Sequence, residues 1–177
     1  MSERSAATRK PSTRTIVALV VAALVVGAAA FVGILALAVH RAPERDPQIT
    51  AYAHGRAITV APYEYCTVRM QDCRHGETAQ LPVPSGYPLQ ISLPKQVTEA
   101  PWLAQLIYEL PTSERVARVI SHADYAPGTV SLTIPSRPEP GLHLIGVEFQ
   151  LPILARDVDT GREFYLPHAR WSINTPY

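Results

Sequence analysis

Net charge is almost absent from this chain, because 16 Lys and Arg stand against 15 Asp and Glu and leave +1. With no excess of cations to neutralise phosphates over a broad face, nucleic acid is excluded as an expected partner. Cysteine is equally scarce, with Cys66 and Cys73 the only two. A metal site built on them would need further ligands, and only His75 stands close by, with no second CxxC and no paired histidine. The motifs that announce common chemistries are missing as well. There is no G-x-S-x-G elbow, no H-E-x-x-H, no phosphate-cradling G-x-x-x-x-G-K and no dinucleotide fingerprint. No catalytic residue, cofactor or metal is therefore expected, and beyond Val39 no amphipathic helical pattern is sustained.

The strongest positive signal is an uncharged apolar run from Ile16 to Val39. As a helix rising ~1.5 Å per residue it crosses a ~30 Å hydrocarbon core with room for tilt. Arg4, Arg9, Lys10 and Arg14 precede it against Glu3 alone, whereas Arg41 and Arg45 are mixed with Glu44 and Asp46 after it. The positive-inside rule then makes residues 1–15 a basic cytoplasmic tail and 16–39 a single-pass signal anchor in the cell membrane, with the rest of the chain extracytoplasmic. A signal peptide cut after Ala36-Leu37-Ala38 is the alternative, but signal cores usually run ~7–15 residues. Ala23 with Gly27, and Ala29 with Gly33, have the small-xxx-small spacing that allows close helix approach, a weak signal in an alanine-rich segment.

Residues 40–47, with Pro43 and Pro47, read as a spacer, and residues 48–177 as one extracytoplasmic domain. Sixteen of the 17 prolines lie after the apolar run, where they punctuate the chain and favour short extended segments over helices. Leu89 to Leu93 and Val130 to Ile134 alternate apolar and polar at the period of a half-buried strand. Further strands are expected at Ile49 to His54, Arg56 to Ala61, Ala104 to Leu110, Val116 to Ile120, Leu142 to Leu151 and Phe164 to Ile173. His54-Gly55 and Asp159-Thr160-Gly161 read as hairpin turns. Ile145, Val147, Phe149 and Leu151 should share one face, matched by Trp171 and Ile173. About eight strands without βαβ alternation predict an immunoglobulin-like antiparallel β-sandwich, with a small barrel as the alternative.

Outside the reducing cytoplasm Cys66 and Cys73 are expected to form a disulfide, a local staple too short to be the immunoglobulin inter-sheet bridge. His54, His75, His122, His143 and His168 are scattered, and read as surface or turn residues unless the fold gathers one with a carboxylate and a hydroxyl. Asp157 and Asp159 before Gly161 could offer oxygens to calcium, but Asp and Gly in a solvated turn explain the pattern better. Tyr63, Tyr65 and Trp102 stand beside prolines at expected strand ends and are the candidate partner-binding anchors, with core packing the competing role, above all for Trp102.

The segments Pro62-Tyr63-Glu64-Tyr65-Cys66, Asp72-Cys73, Pro88 to Pro94 and Ala100-Pro101-Trp102 resemble a family of exported, membrane-associated envelope proteins of mycolate-containing actinobacteria, a domain of unknown function. The resemblance implies export and supports the disulfide, and it implies no activity. Some members look lipoprotein-like at the amino terminus, whereas this chain has a long apolar segment and no cysteine near it. Three functions remain open. The first is a non-enzymatic interaction or scaffold module that meets an envelope protein or polymer. The second is a hydrolase or transferase with a non-local active site, and the third a domain that binds an apolar ligand between its sheets.

Overall fold

A chain that alternates apolar and polar residues over short stretches must bury one face of each strand, and two facing sheets are the economical solution. The computed structural model describes residues 12–41 and 46–177. The expected basic tail at Glu3, Arg4, Arg9 and Lys10, and Pro43, Glu44 and Arg45 of the expected spacer, lie outside the described residues. The chain divides into two units, an amino-terminal one and a second from Asp46 to Tyr177.

In the first unit the apolar run forms one helix, α1 (Thr13–Arg41), with none of its residues buried. The Ser12 hydroxyl accepts the Thr15 N–H at 3.4 Å and caps its start. His40 and Arg41 occupy the last turn, where cations face the negative end of the helix dipole.

The second unit opens with a hairpin of β1 (Ile49–Ala53) and β2 (Arg56–Val60). His54 and Gly55 turn it with φ of 42° and 80°, the paired positive values of a tight two-residue connection. Three two-residue strands follow, β3 (Glu64–Tyr65), β4 (Arg74–His75) and β5 (Ala79–Gln80). Next come β6 (Leu89–Ser92), a one-turn helix α2 (Lys95–Thr98), β7 (Leu103–Glu109), β8 (Arg115–Ser121) and β9 (Ser131–Ile134). The long strands β10 (His143–Arg156) and β11 (Glu163–Asn174) complete the series.

The strands form two sheets, a smaller one ordered β2-β1-β6-β9 and a larger one ordered β4-β3-β11-β10-β7-β8, with β5 added in parallel alongside β11. Their pairing is otherwise antiparallel, and the sheets face each other as an open sandwich rather than a closed barrel. All the strands read from periodicity are present. The three two-residue strands were invisible to that reading, because alternation needs more residues than they have.

Ile49, Ala51, Leu89, Ile91, Leu132 and Ile134 point inward from the smaller sheet, and Ala104, Leu106, Tyr108, Phe149, Trp171 and Ile173 from the larger. One facing differs from expectation. The β10–β7 register slips between Leu144 and Gly146, so Ile145 is an extra residue there. A bulge reverses the side-chain alternation, and Leu144 takes the core position that Ile145 was expected to hold beside Val147, Phe149 and Leu151.

Tyr108 is buried with its hydroxyl donating to the Pro135 carbonyl at 3.2 Å. Burial pushes its pKa up, and the Arg118 guanidinium over its ring draws it partly back. A raised folded-state value stabilises fully below the unfolded tyrosine pKa of ~10, and this contribution is lost as pH climbs through the folded value. Melting temperature should therefore fall above pH ~10, and Tyr108→Phe should flatten that alkaline decline. An identical decline in both proteins would show that other groups govern it.

Candidate functional site

Strand register decides which loops meet. Leu103 pairs with Ser121 and with Gln150, Gln150 pairs with Arg170, and Arg170 with Glu64. One end of the larger sheet therefore gathers the start of β7, the end of β8, the base of the β10–β11 hairpin and the β3–β4 loop. In the smaller sheet Thr50 pairs with Ser92 and Ser92 with Ser131, so the start of β1, the end of β6 and the start of β9 also lie together. The Trp171 indole N–H donates to the Pro47 carbonyl at 2.9 Å and ties this entry point to β11. The chain thus enters the sandwich at the end that carries these loops, here termed the tether end.

Two of the loops enclose a cleft of about 600 Å³. One wall is Thr98 to Trp102, from α2 into β7, and the other is His122 to Thr129, between β8 and β9. Pro94 and Val97 start the first wall by accepting and donating a turn hydrogen bond at 2.9 Å. Ser121 and Asp124 set the second, with the Ser121 N–H donating to the Asp124 carboxylate at 2.7 Å. Trp102 is 3% exposed, its indole 5.8 Å from the rings of both Phe149 and Tyr125. It is a core residue that forms the cleft's back, and Tyr125 carries the aromatic surface forward.

This cleft brings His122 together with a carboxylate, Glu99, and the hydroxyls of Thr98 and Thr129, the company that would make a histidine interesting. Each group has other work. The Thr98 hydroxyl donates to the Lys95 carbonyl at 3.2 Å, and that of Thr129 to the Ala126 carbonyl at 2.7 Å. His122 Nδ1 lies 3.3 Å from the Trp102 carbonyl. Among the described residues no hydrogen bond joins His122 to a hydroxyl or a carboxylate.

Tyr63 and Tyr65 lie across the sheet on the β3 side, just inside the edge strand β4, and both are half-buried. Tyr65 packs against the core with the Arg74 guanidinium 5.5 Å from its ring centre. The Tyr63 hydroxyl accepts from the Arg170 guanidinium at 3.1 Å, and Arg170 Nε faces the Glu64 carboxylate at 3.3 Å. The Tyr63 hydroxyl foremost, with the Glu64 and Glu148 carboxylates, holds Arg170 more firmly protonated than usual, against a smaller effect of burial. Arg170 organises this outer face, although an arginine in a strand reads simply as a solvent-facing residue. Cys66 and Cys73 are bridged. Cys66 exchanges backbone and side-chain hydrogen bonds with His168, whose C=O accepts the Cys66 N–H at 2.7 Å.

The remaining histidines are apart. His54 packs on Tyr87 and His143 stacks on Tyr177, both at the opposite end, and His75 is exposed on β4. The Asp157 carboxylate accepts the N–H groups of Thr160 at 2.8 Å and Asp159 at 3.0 Å, and these bonds, that from Thr160 first, pull its pKa below the ordinary range. It is spent on holding its own turn. No group of three or more metal-ligating side chains converges among the described residues. Tyr125, Glu99 and Thr129 escaped the sequence reading; the only local signal was an aromatic residue just before Pro127-Gly128.

Residues 42–176 match the family described as Protein of unknown function (DUF2771). The uncharacterized protein Rv0875c of Mycobacterium tuberculosis is 33% identical over 132 residues, covering 73% of this chain and 77% of its own length. The uncharacterized protein Mb0899c of Mycobacterium bovis is similar to the same extent, 33% over 132 residues. No solved structure gives a significant match.

Proposed function

The chain belongs to the DUF2771 family, whose function is unknown, and we propose that it is a membrane-anchored, non-enzymatic binding domain that meets an envelope protein or polymer through the loops of its tether end. The observation that carries the reading is the tether-end cleft, with aromatic and proline surface at its back and polar groups at its rim. Such concave, mostly apolar sites with a few placed polar groups are where proteins take ligands.

Anchoring is supported by α1, which has no buried residue and whose uncharged apolar stretch from Ile16 to Val39 water would penalise. The positive residues before it favour a cytoplasmic amino terminus and an extracytoplasmic sandwich. The disulfide suits that compartment. Binding rather than catalysis is supported by the commitments inside the cleft. Hydroxyls that donate to backbone carbonyls are not activated by a base, and nucleophilic catalysis requires that activation.

The test is photo-crosslinking in the native membrane, with a photo-reactive residue placed in turn at Glu99 and Thr129 on the cleft rim, at Tyr63, and at the exposed Tyr87 of the opposite end. A discrete adduct from the rim positions, absent from Tyr87, is the expected result. Equal labelling at all positions, or none at the rim, would remove the cleft as the binding surface.

A further inference from the structure

Beyond Gln150, β10 has no partner in β7, and before Ala169, β11 has none in β3. Residues 152–167 therefore pair only with each other and form a two-stranded arm extending past the sandwich at the tether end. Its base is distinctive. Pro152 faces Pro167, neither of which has an N–H to give the ladder, and the register shifts beside them, leaving His168 as an extra residue.

Water-exposed arms of this kind are normally covered with polar side chains, but this one is apolar on both faces. Leu154 opposes Tyr165 on one face, and Ile153 opposes Leu166 and Ala155 opposes Phe164 on the other. Tyr165 is 76% exposed and Val158, at the tip, 96%. Val68 of the disulfide loop and Val130 at the start of β9 add exposed aliphatic surface at the same end. At the opposite end the large exposed apolar residues are the tyrosines Tyr52, Tyr87 and Tyr177, each with a polar tip. A concentrated exposed apolar surface marks an interaction site.

The covalent chain narrows the choice of occupant. Five peptide steps separate Arg41, the last residue of α1, from Asp46, at most about 18 Å of extended chain. A helix embedded in a bilayer would hold the tether end within that reach of the lipid headgroups. We propose that the arm is a second membrane contact, with Leu154, Phe164, Tyr165 and Val158 resting in the headgroup–acyl boundary of the outer leaflet; this rests on the anchoring reading above. Aromatic rings favour that boundary, where one end is apolar and the other wet.

The arm's charges sharpen the proposal. Arg156 pairs with Glu163 at 2.6 Å, and over residues 152–167 Arg156 and Arg162 are outnumbered by Asp157, Asp159 and Glu163. Contact must then come from apolar burial, independent of anionic lipid and little affected by salt.

The full chain, reconstituted in phosphatidylcholine vesicles, tests this with an environment-sensitive dye on one introduced cysteine in each of Tyr165→Cys, Leu154→Cys, Val119→Cys and Val26→Cys. The native cysteines are bridged and do not react. Dyes at 165 and 154 should be blue-shifted and quenched several-fold more by headgroup-proximal nitroxide lipids than the dye at 119, and Val26 should be quenched from the bilayer centre. Added salt or phosphatidylglycerol should leave these signals unchanged. A deep signal at 26 with solvent-like signals at 165 and 154 would overturn the arm contact and leave the anchor standing. A solvent-like signal at 26 would overturn both. Shielding of 165 and 154 in native membranes but not in pure lipid would also overturn the proposal, assigning the arm to a protein partner.

Discussion

Trp171→Ala is expected to cost about 3–5 kcal/mol, the range for emptying a fully buried large aromatic site. Trp171 is fully buried on β11, paired across the strands with Phe149. Two losses coincide in the substitution. The side chain leaves a void between the sheets, and the Pro47 carbonyl loses the indole N–H that satisfies it. For a domain of this size the melting temperature should fall by roughly 10–25 °C, read by near-ultraviolet circular dichroism of the full chain in detergent. Trp171→Phe keeps much of the packing and loses the same hydrogen bond, so the two variants separate the contributions. A fall of only a few degrees in the alanine variant would show that the sheets close over the site.

Gly76→Ala is expected to cost about 3 kcal/mol, the upper end of the usual penalty for overpacking. A Cβ at Gly76 would stand 2.6 Å from the Pro62 carbonyl oxygen, and backbone cannot swing aside as a side chain does. Relief requires β4 to draw away from the Pro62-Tyr63 segment, breaking the bond from the Gly76 N–H to the Tyr63 carbonyl, now 2.8 Å. Amide exchange at Gly76 and at the Glu64–His75 pairing should accelerate along with the loss of stability. Gly146→Ala is the comparison, because its Cβ would meet nothing nearer than 3.5 Å and should cost much less. Equal effects in the two variants would mean that the close approach at Gly76 is not what constrains it.

The long strands were legible in the sequence because their patterns are local. Leu89, Ile91 and Leu93, or Leu132 and Ile134, announce an inward face whatever lies opposite. The apolar helix was legible for the same reason, since continuity over Ile16 to Val39 needs no partner to interpret. Ile145 was misjudged because a bulge is decided by the neighbouring strand, whose register no local pattern records. The cleft was illegible because its walls, at Glu99 and Thr129, are brought together only by the long-range pairings of Leu103 with Ser121 and of Ser92 with Ser131. The arm lay half in view. Its turn was read from Asp157 to Gly161, but its independence depends on where β7 and β3 stop.

The place of β11 in the larger sheet bears on how the chain acquires its fold. This strand, the last in sequence, lies between β10 and β3 and also holds β5, so it is the keystone of the sheet rather than an edge. Synthesis from the amino terminus completes all four strands of the smaller sheet by Ile134, while their inner face has no stable cover until Asn174 has emerged. Ordering must wait for contacts between residues far apart along the chain, a topology that folds slowly. A nascent chain carrying this domain thus passes through a long interval with its apolar strands uncovered, when a holding factor would matter most.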